Sequence, residues 1–308
     1  MGPDENRDRQ LRRQLLAPIL KSDDFRPLSA TVQVEFGADT ATGSAGAPNE
    51  DHFLVIQLER SQETLVTSLS QAEAPSRFRE YGYAMVLASG VGGTGAGGVA
   101  SRVAIATLVQ LALHYGQWNV RVDARTAFDI LERLEWSFNR TDELLKQRAR
   151  ANRFLQGMST KLTAAYCAGD ELFIASSGES SAHVFRNGEL LHLVPDDLEH
   201  PPAPQNGPRL VTDFEEEEFP DALAETIGGT EKPRVSVGRY QLRNDDVFML
   251  CTDSLTAALT NGQIADVLVE RRQPADMCRR LTAAALAARP AENVAVVLAQ
   301  YRVPSASA

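Results

Sequence analysis

Residues 85–98, Met-Val-Leu-Ala-Ser-Gly-Val-Gly-Gly-Thr-Gly-Ala-Gly-Gly, constrain this chain more than any other stretch. Residues 83–88 form an apolar run of the length of a buried strand. Residues 90–98 are rich in glycine. Residues 99–113 then repeat apolar side chains at three- and four-residue spacing, which predicts a helix. Strand, glycine loop and helix together bring bare backbone close to a charged ligand. The loop lacks the Lys-Ser/Thr phosphate cradle of a P-loop, so a nucleotide site would rest on glycine alone, which is a poor signal.

With 308 residues, 43% hydrophobic and 23% charged, the chain can bury a sizeable core. No apolar run in the sequence approaches the ~20 residues of a membrane span. The first residues are charged and carry no secretory-type apolar segment. Cys167, Cys251 and Cys278 are widely spaced and odd in number. Buried reduced thiols are therefore expected rather than a disulfide or zinc site, in a cytoplasmic protein. A net charge of −10 opposes nucleic acid and anionic membranes as partners.

Residues 1–28 read as a charged N-terminal extension, and residues 29–303 as one domain with a short tail at 304–308. Strands are predicted at 31–36 and 53–58, with a small polar loop at 37–48 between them. Residues 59–80 are polar and poorly patterned, which suggests a surface insertion. A long helix is predicted over 124–152. Strands at 161–168 and 171–176 flank Gly169-Asp170, and strands at 181–186 and 189–194 flank Asn187-Gly188, a strong hairpin signal. Residues 196–225, with acids unbroken over 215–218, read as a solvated, flap-like loop. Further strands are expected at 240–242, 247–252 and 293–303, and helices at 261–270 and 274–288. Hairpin-linked strands with helices inserted in pairs give an α+β fold.

Acidic or polar spots sit at strand ends: Asn49-Glu50-Asp51, Ser89-Gly90, Thr252-Asp253-Ser254 and Glu292-Asn293. Carboxylates that converge from strand ends can hold a hard cation such as Mg²⁺ or Mn²⁺. Taken singly, each is an ordinary turn acid. His52 beside Asp51 reads as a strand histidine, and His114, His183, His192 and His200 show no ligand spacing. Arg271, Arg272, Arg279 and Arg280 read as a solvated helix face.

In order and spacing these blocks resemble the metal-dependent protein phosphatases of the type 2C (PPM) family. Residues 43–51 are similar to its Gly-x-x-Arg-x-x-Asn-Glu-Asp, and residues 88–101 to its Asp-Gly-x-Gly-Gly-His loop with the following Ala-Ser. Residues 157–162 resemble Gly-x-Gly-Thr-Thr-Leu, and residues 177–188 resemble Gly-Asp-Ser-Arg and its hairpin. Residues 246–255 resemble Asp-x-x-Leu-Leu-Cys-Ser-Asp-Gly-Leu, and residues 292–297 resemble Asp-Asn-hydrophobic-Thr with its closing strand. The resemblance implies an α-β-β-α sandwich of two antiparallel sheets with a metal site at one edge. It further implies Mg²⁺ or Mn²⁺ as cofactor and serine/threonine phosphoprotein substrates.

The chain departs from that pattern at charged positions. The metal-bridging Asp corresponds to Ser89, the phosphate-gripping Arg to Gly46, the loop His to Thr94 and the Asp of Gly-Asp-Ser-Arg to Glu179. Ser254 replaces a Gly, and the last ligand Asp becomes the longer Glu292. Glu50, Asp51, the Gly90 carbonyl, Asp253 and Glu292 remain as a vestigial or weakly metal-binding set, or one that binds none. The expected protein is a pseudophosphatase that binds a phosphoprotein or signalling partner. The alternative is an active Mg²⁺/Mn²⁺-dependent phosphatase with a rearranged site.

Overall fold

The computed structural model describes residues 32–46, 48–69, 74–91, 95–116, 122, 124–178, 181–193 and 226–303. The expectations for residues 1–28, 196–225 and 304–308 lie outside these. The first half of the chain contributes β1 Gln33–Ala41, β2 Asp51–Glu63, β3 Arg77–Val91, α1 Ala96–Tyr115 and α2 Ala124–Ala151. Then come β4 Ser159–Ala168, β5 Glu171–Ser177, β6 Ser181–Arg186, β7 Glu189–Leu193, β8 Ser236–Gln241 and β9 Val247–Cys251. Helices α3 Asp253–Ala258, α4 Asn261–Leu268 and α5 Pro274–Ala287 precede the closing β10 Val294–Arg302.

The strands make two five-stranded antiparallel sheets, ordered β1-β10-β9-β6-β7 and β2-β3-β4-β5-β8. The apolar runs explain the layering. On β3, Met85 and Leu87 enter the layer between the sheets, while Val86 and Ala88 pack under α1 and α2. On β10, Ala295, Val297, Ala299 and Tyr301 face the inter-sheet layer, and Val294, Val296 and Leu298 face α3–α5. A strand covered on both faces needs apolar side chains at successive positions rather than at alternate ones. The result is the expected α-β-β-α sandwich. Each fully buried large side chain in it contributes roughly 1.5–3 kcal/mol.

Three expectations are corrected. Residues 59–80 are a connection only in part: β2 runs to Glu63 and β3 starts at Arg77, with residues 51–63 paired to residues 77–89, so that only 64–76 lie between the strands. Arg60–Glu80, Arg77–Glu63 and Arg79–Glu59 ion pairs at 2.9, 3.1 and 3.3 Å cross the two strands where apolar alternation is lacking. Strand β1 extends through Ala41, against the predicted loop from residue 37, because β10 offers a matching ladder as far as Ala41 opposite Val294. Finally, α1 is long and apolar enough to cross a membrane by length and composition. Its buried Ala96, Ala100, Ala104 and Ile105 pack on the second sheet.

Candidate functional site

The acidic spots converge on one edge of the sandwich, and ladder register puts them there. Asp51 on β2 lies opposite Ser89 on β3, and Ser89 lies opposite Lys161 on β4. Directly opposite residues share a face of the sheet. The row Asp51, Ser89, Lys161 lies in phase with Leu87 of β3, which enters the inter-sheet layer. Across that layer, β9 ends and α3 begins at Asp253.

Within the row the charges are already partnered. The Ser89 hydroxyl donates to Asp51 Oδ1 at 2.7 Å. The Lys161 ammonium donates to Asp253 Oδ2 at 2.6 Å, joining one sheet to the other. Asp51 is buried, and its backbone N–H donates to Asn49 Oδ1 at 3.0 Å. Asn49 in turn donates from Nδ2 to Thr40 Oγ1 at 2.9 Å. Burial pushes the Asp51 carboxyl up to about 6; Glu292, Glu50 and Asp253 add to the rise, and the Ser89 hydrogen bond opposes it.

Glu50 leaves the chain on the other side, toward α1. Its side chain meets the backbone of Gly90 and Gly97, so closely that a Cβ on Gly97 would stand 2.7 Å from Glu50 Oε2. His52, on the same face, supports it. Arg102 Nε donates to His52 Nε2 at 2.8 Å, which leaves Nδ1 as the donor toward Ser101 Oγ at 2.8 Å and the Glu50 carbonyl at 3.2 Å. Burial, and then the Arg102 guanidinium, hold the His52 pKa below its ordinary value, so the ring stays neutral. Its part is to brace Glu50.

Gly90 is a contact position. A Cβ there would lie 2.4 Å from the Gly97 carbonyl carbon and 2.9 Å from Glu50 Cβ. Strand β3 and the first turn of α1 touch backbone to backbone. Gly90→Ala is therefore expected to cost about 1–3 kcal/mol, because the helix must shift. Gly262→Ala on α4, where the nearest atom is 3.9 Å away, should gain up to about 1 kcal/mol. Urea denaturation of both variants checks the contrast, and equal stabilities would argue against the close approach of strand and helix.

The remaining positions divide. Glu292 is exposed but near enough to raise the Asp51 pKa. Ser254 is a clamp: its hydroxyl donates to the Asn293 carbonyl and lies 3.0 Å from Thr252 Oγ1, fastening α3 to β10. Gly46 stands apart, exposed at φ 72° with nothing around its missing side chain. Thr94 and Glu179 lie outside the described residues. Lys161 was not expected at the site; its signal was a lone cation in the otherwise uncharged strand Ser159–Ala168.

These donors do not fit a two-metal centre. Ser89 brings no charge, and the Lys161 ammonium stands on Asp253. Among the described residues no group of three or more His, Cys, Asp or Glu side chains is placed to hold a metal ion. Two buried oxygens, Glu50 Oε1 and Asp51 Oδ2, have no hydrogen-bond partner among the described residues.

No protein-family model matches the chain. The chain is 28% identical over 218 residues to the serine/threonine protein phosphatase PstP of Mycobacterium tuberculosis, covering 70% of this chain and 40% of that protein. It thus spans about two fifths of the length of that relative. It is 25% identical over 188 residues to the serine/threonine phosphatase stp of Listeria monocytogenes, covering 61% and 72% of the two chains. Among solved structures, the S. agalactiae serine/threonine phosphatase superposes with a TM-score of 0.61 at 20% identity, over 87% of this chain and 99% of that one. The PstP catalytic domain, solved with two manganese ions, gives 0.60 at 23% identity over 88% and 100%. The structures speak for the fold. The sequence relationship across 70% of the chain, together with that shared fold, supports a member of the metal-dependent, type 2C (PPM) protein phosphatase family.

Proposed function

We propose that this chain is a type 2C phosphatase-fold protein impaired in two-metal hydrolysis, which acts by binding a protein partner, a phosphoprotein or another component of a kinase pathway. One observation carries the reading: at the position that resembles the family's bridging carboxylate, Ser89 donates a hydrogen bond to Asp51. A hydroxyl in that role has neither the charge nor the reach to span two cations and activate water between them. Loss of such transition-state stabilisation costs several kcal/mol, and each ~1.4 kcal/mol is tenfold in rate. The exposed Gly46 supports the same reading, since no guanidinium stands there to grip a phosphate. A cytoplasmic setting belongs to the reading and rests on three buried cysteines with free thiols.

The test is hydrolysis of an aryl phosphate with Mn²⁺, for the unaltered chain and for Asp253→Asn. The expected result is no turnover by either. Clear turnover that disappears in Asp253→Asn would sink the impaired reading in favour of a second one, an active Mg²⁺/Mn²⁺-dependent serine/threonine phosphatase with a rearranged site. That second reading draws on Glu50 Oε1 and Asp51 Oδ2, buried oxygens that have no hydrogen-bond partner among the described residues and are of the hard kind that Mg²⁺ or Mn²⁺ takes.

A further inference from the structure

We infer that Lys161 is a tethered cation that has taken over a cation position at the acidic edge, so that the chain neutralises Asp253 with its own ammonium instead of a metal ion. The inference rests on the reading of this edge as a displaced metal site. Its substance is the disagreement between a metal-dependent fold and the donor set found there.

The placement follows from register. Lys161 is third in the row that begins with Asp51 and Ser89, the two residues hydrogen-bonded at 2.7 Å. Its side chain crosses the inter-sheet layer to the end of β9 and meets Asp253 at 2.6 Å. Both side chains are about three-quarters buried, at 25% and 28% exposure. A lysine projecting from a strand otherwise built of Ser, Thr, Leu, Ala, Tyr and Cys has to find an anion. Asp253 is that anion, and Asp51 and Glu292 extend the same negative field.

The chemistry of the two kinds of cation differs. An ammonium offers three N–H donors and no vacant orbital for an oxygen lone pair, so it balances charge without binding or polarising water as a metal does. It also arrives with the chain, needing no metal from solution. A divalent ion approaching Asp253 must displace Lys161 or settle beside it against like-charge repulsion, which is strong at a few ångströms in a partly buried site.

Mn²⁺ titration of the full chain, followed by calorimetry and by the electron paramagnetic resonance of unbound Mn²⁺, tests this without reference to turnover. Lys161→Met and Lys161→Gln, each close in length and uncharged, should bind Mn²⁺ at least about tenfold more tightly than the unaltered chain. Lys161→Arg, which keeps the charge, should not. Arg302→Met, which removes a cation from the far end of β10, controls for net charge and should leave binding unchanged. Folded Lys161→Met and Lys161→Gln proteins that bind no better than the unaltered chain would overturn the inference, whatever the phosphate assay shows. So would an equal gain in Arg302→Met. A reading on the unaltered chain stands beside the variants. The Lys161 ammonium resonance should persist, slowly exchanging, in millimolar Mg²⁺, and its loss there would overturn the inference as well.

Discussion

An Arg186→Met chain is expected to lose about 3–5 kcal/mol of stability, the usual cost of removing one partner from a buried ion pair. Arg186, the last residue of β6, grips Asp246 with two parallel hydrogen bonds, Nε to Oδ1 at 2.8 Å and Nη2 to Oδ2 at 2.6 Å. Asp246 is 1% exposed, and Arg186 only 15%. The carboxylate also accepts from the Arg243 backbone N–H at 2.7 Å, while the guanidinium lies 5.2 Å over the Tyr240 ring. These bonds to Asp246 hold the Arg186 pKa above its ordinary value. The pair also joins separate strands. Asp246 leads into β9, its carbonyl accepts from the Tyr301 N–H of β10 at 2.9 Å, and Arg186 Nη2 reaches the Gln241 carbonyl of β8 at 3.2 Å. Methionine fills much of the same volume and strands a charge with no counter-ion. Urea denaturation gives the number. Arg186→Lys should fall between, keeping the charge but losing the fork. Adding Asp246→Asn to Arg186→Met should recover part of the loss, since no buried charge is then left unpaired. A loss below about 1 kcal/mol would mean that water reaches Asp246 freely.

The second large effect is a dependence on acid. His183 on β6 is buried, opposite His192 on β7, with ring centroids 4.8 Å apart. Burial, assisted by His192, pushes its pKa down from 6.5 to about 4. Between those values the unfolded chain takes up a proton that the folded chain refuses, so stability falls as pH drops from about 6.5 to 4. The full effect is about 3 kcal/mol. Asp51 works in the same window with the opposite sign. Its raised pKa means that the folded state binds the extra proton, so stability rises as pH falls through about 6. The unaltered chain should therefore hide both. In His183→Phe only the histidine contribution is gone. The variant's stability relative to the unaltered chain should climb by about 3 kcal/mol from pH 7 to pH 4. Denaturation at several pH values reads that difference, and a constant offset would show that His183 does not carry the acid sensitivity.

Much of this architecture was readable from residue order. The unbroken apolar run on β3, the Gly169-Asp170 turn and the Asn187-Gly188 hairpin carry local signals, and each falls where expected. Asn49-Glu50-Asp51 and Thr252-Asp253 stood out as strand-end acids, and they do meet at one edge. What escaped were features that depend on a partner distant in sequence. The outer halves of β2 and β3 have no apolar alternation, and their order comes from a ladder and cross-strand ion pairs that a periodicity reading does not detect. Asp246 was visible as part of a motif, but its need for Arg186 was not. Lys161 lay in plain view inside one of the family-like blocks. Its meaning depends on Asp253, 92 positions along the chain.

The row from Asp51 through Ser89 to Lys161 separates two inheritances that usually travel together. Its positions are set by backbone hydrogen bonds between β2, β3 and β4, which do not read the side chains they carry. The edge can thus be rewritten, one side chain at a time, between a metal-bearing and a self-neutralised form without any change in the ladder beneath. Kinship in such a fold is recorded by the frame, while chemistry is written on a few interchangeable sites. Two chains with superimposable strands can therefore differ completely in what they catalyse.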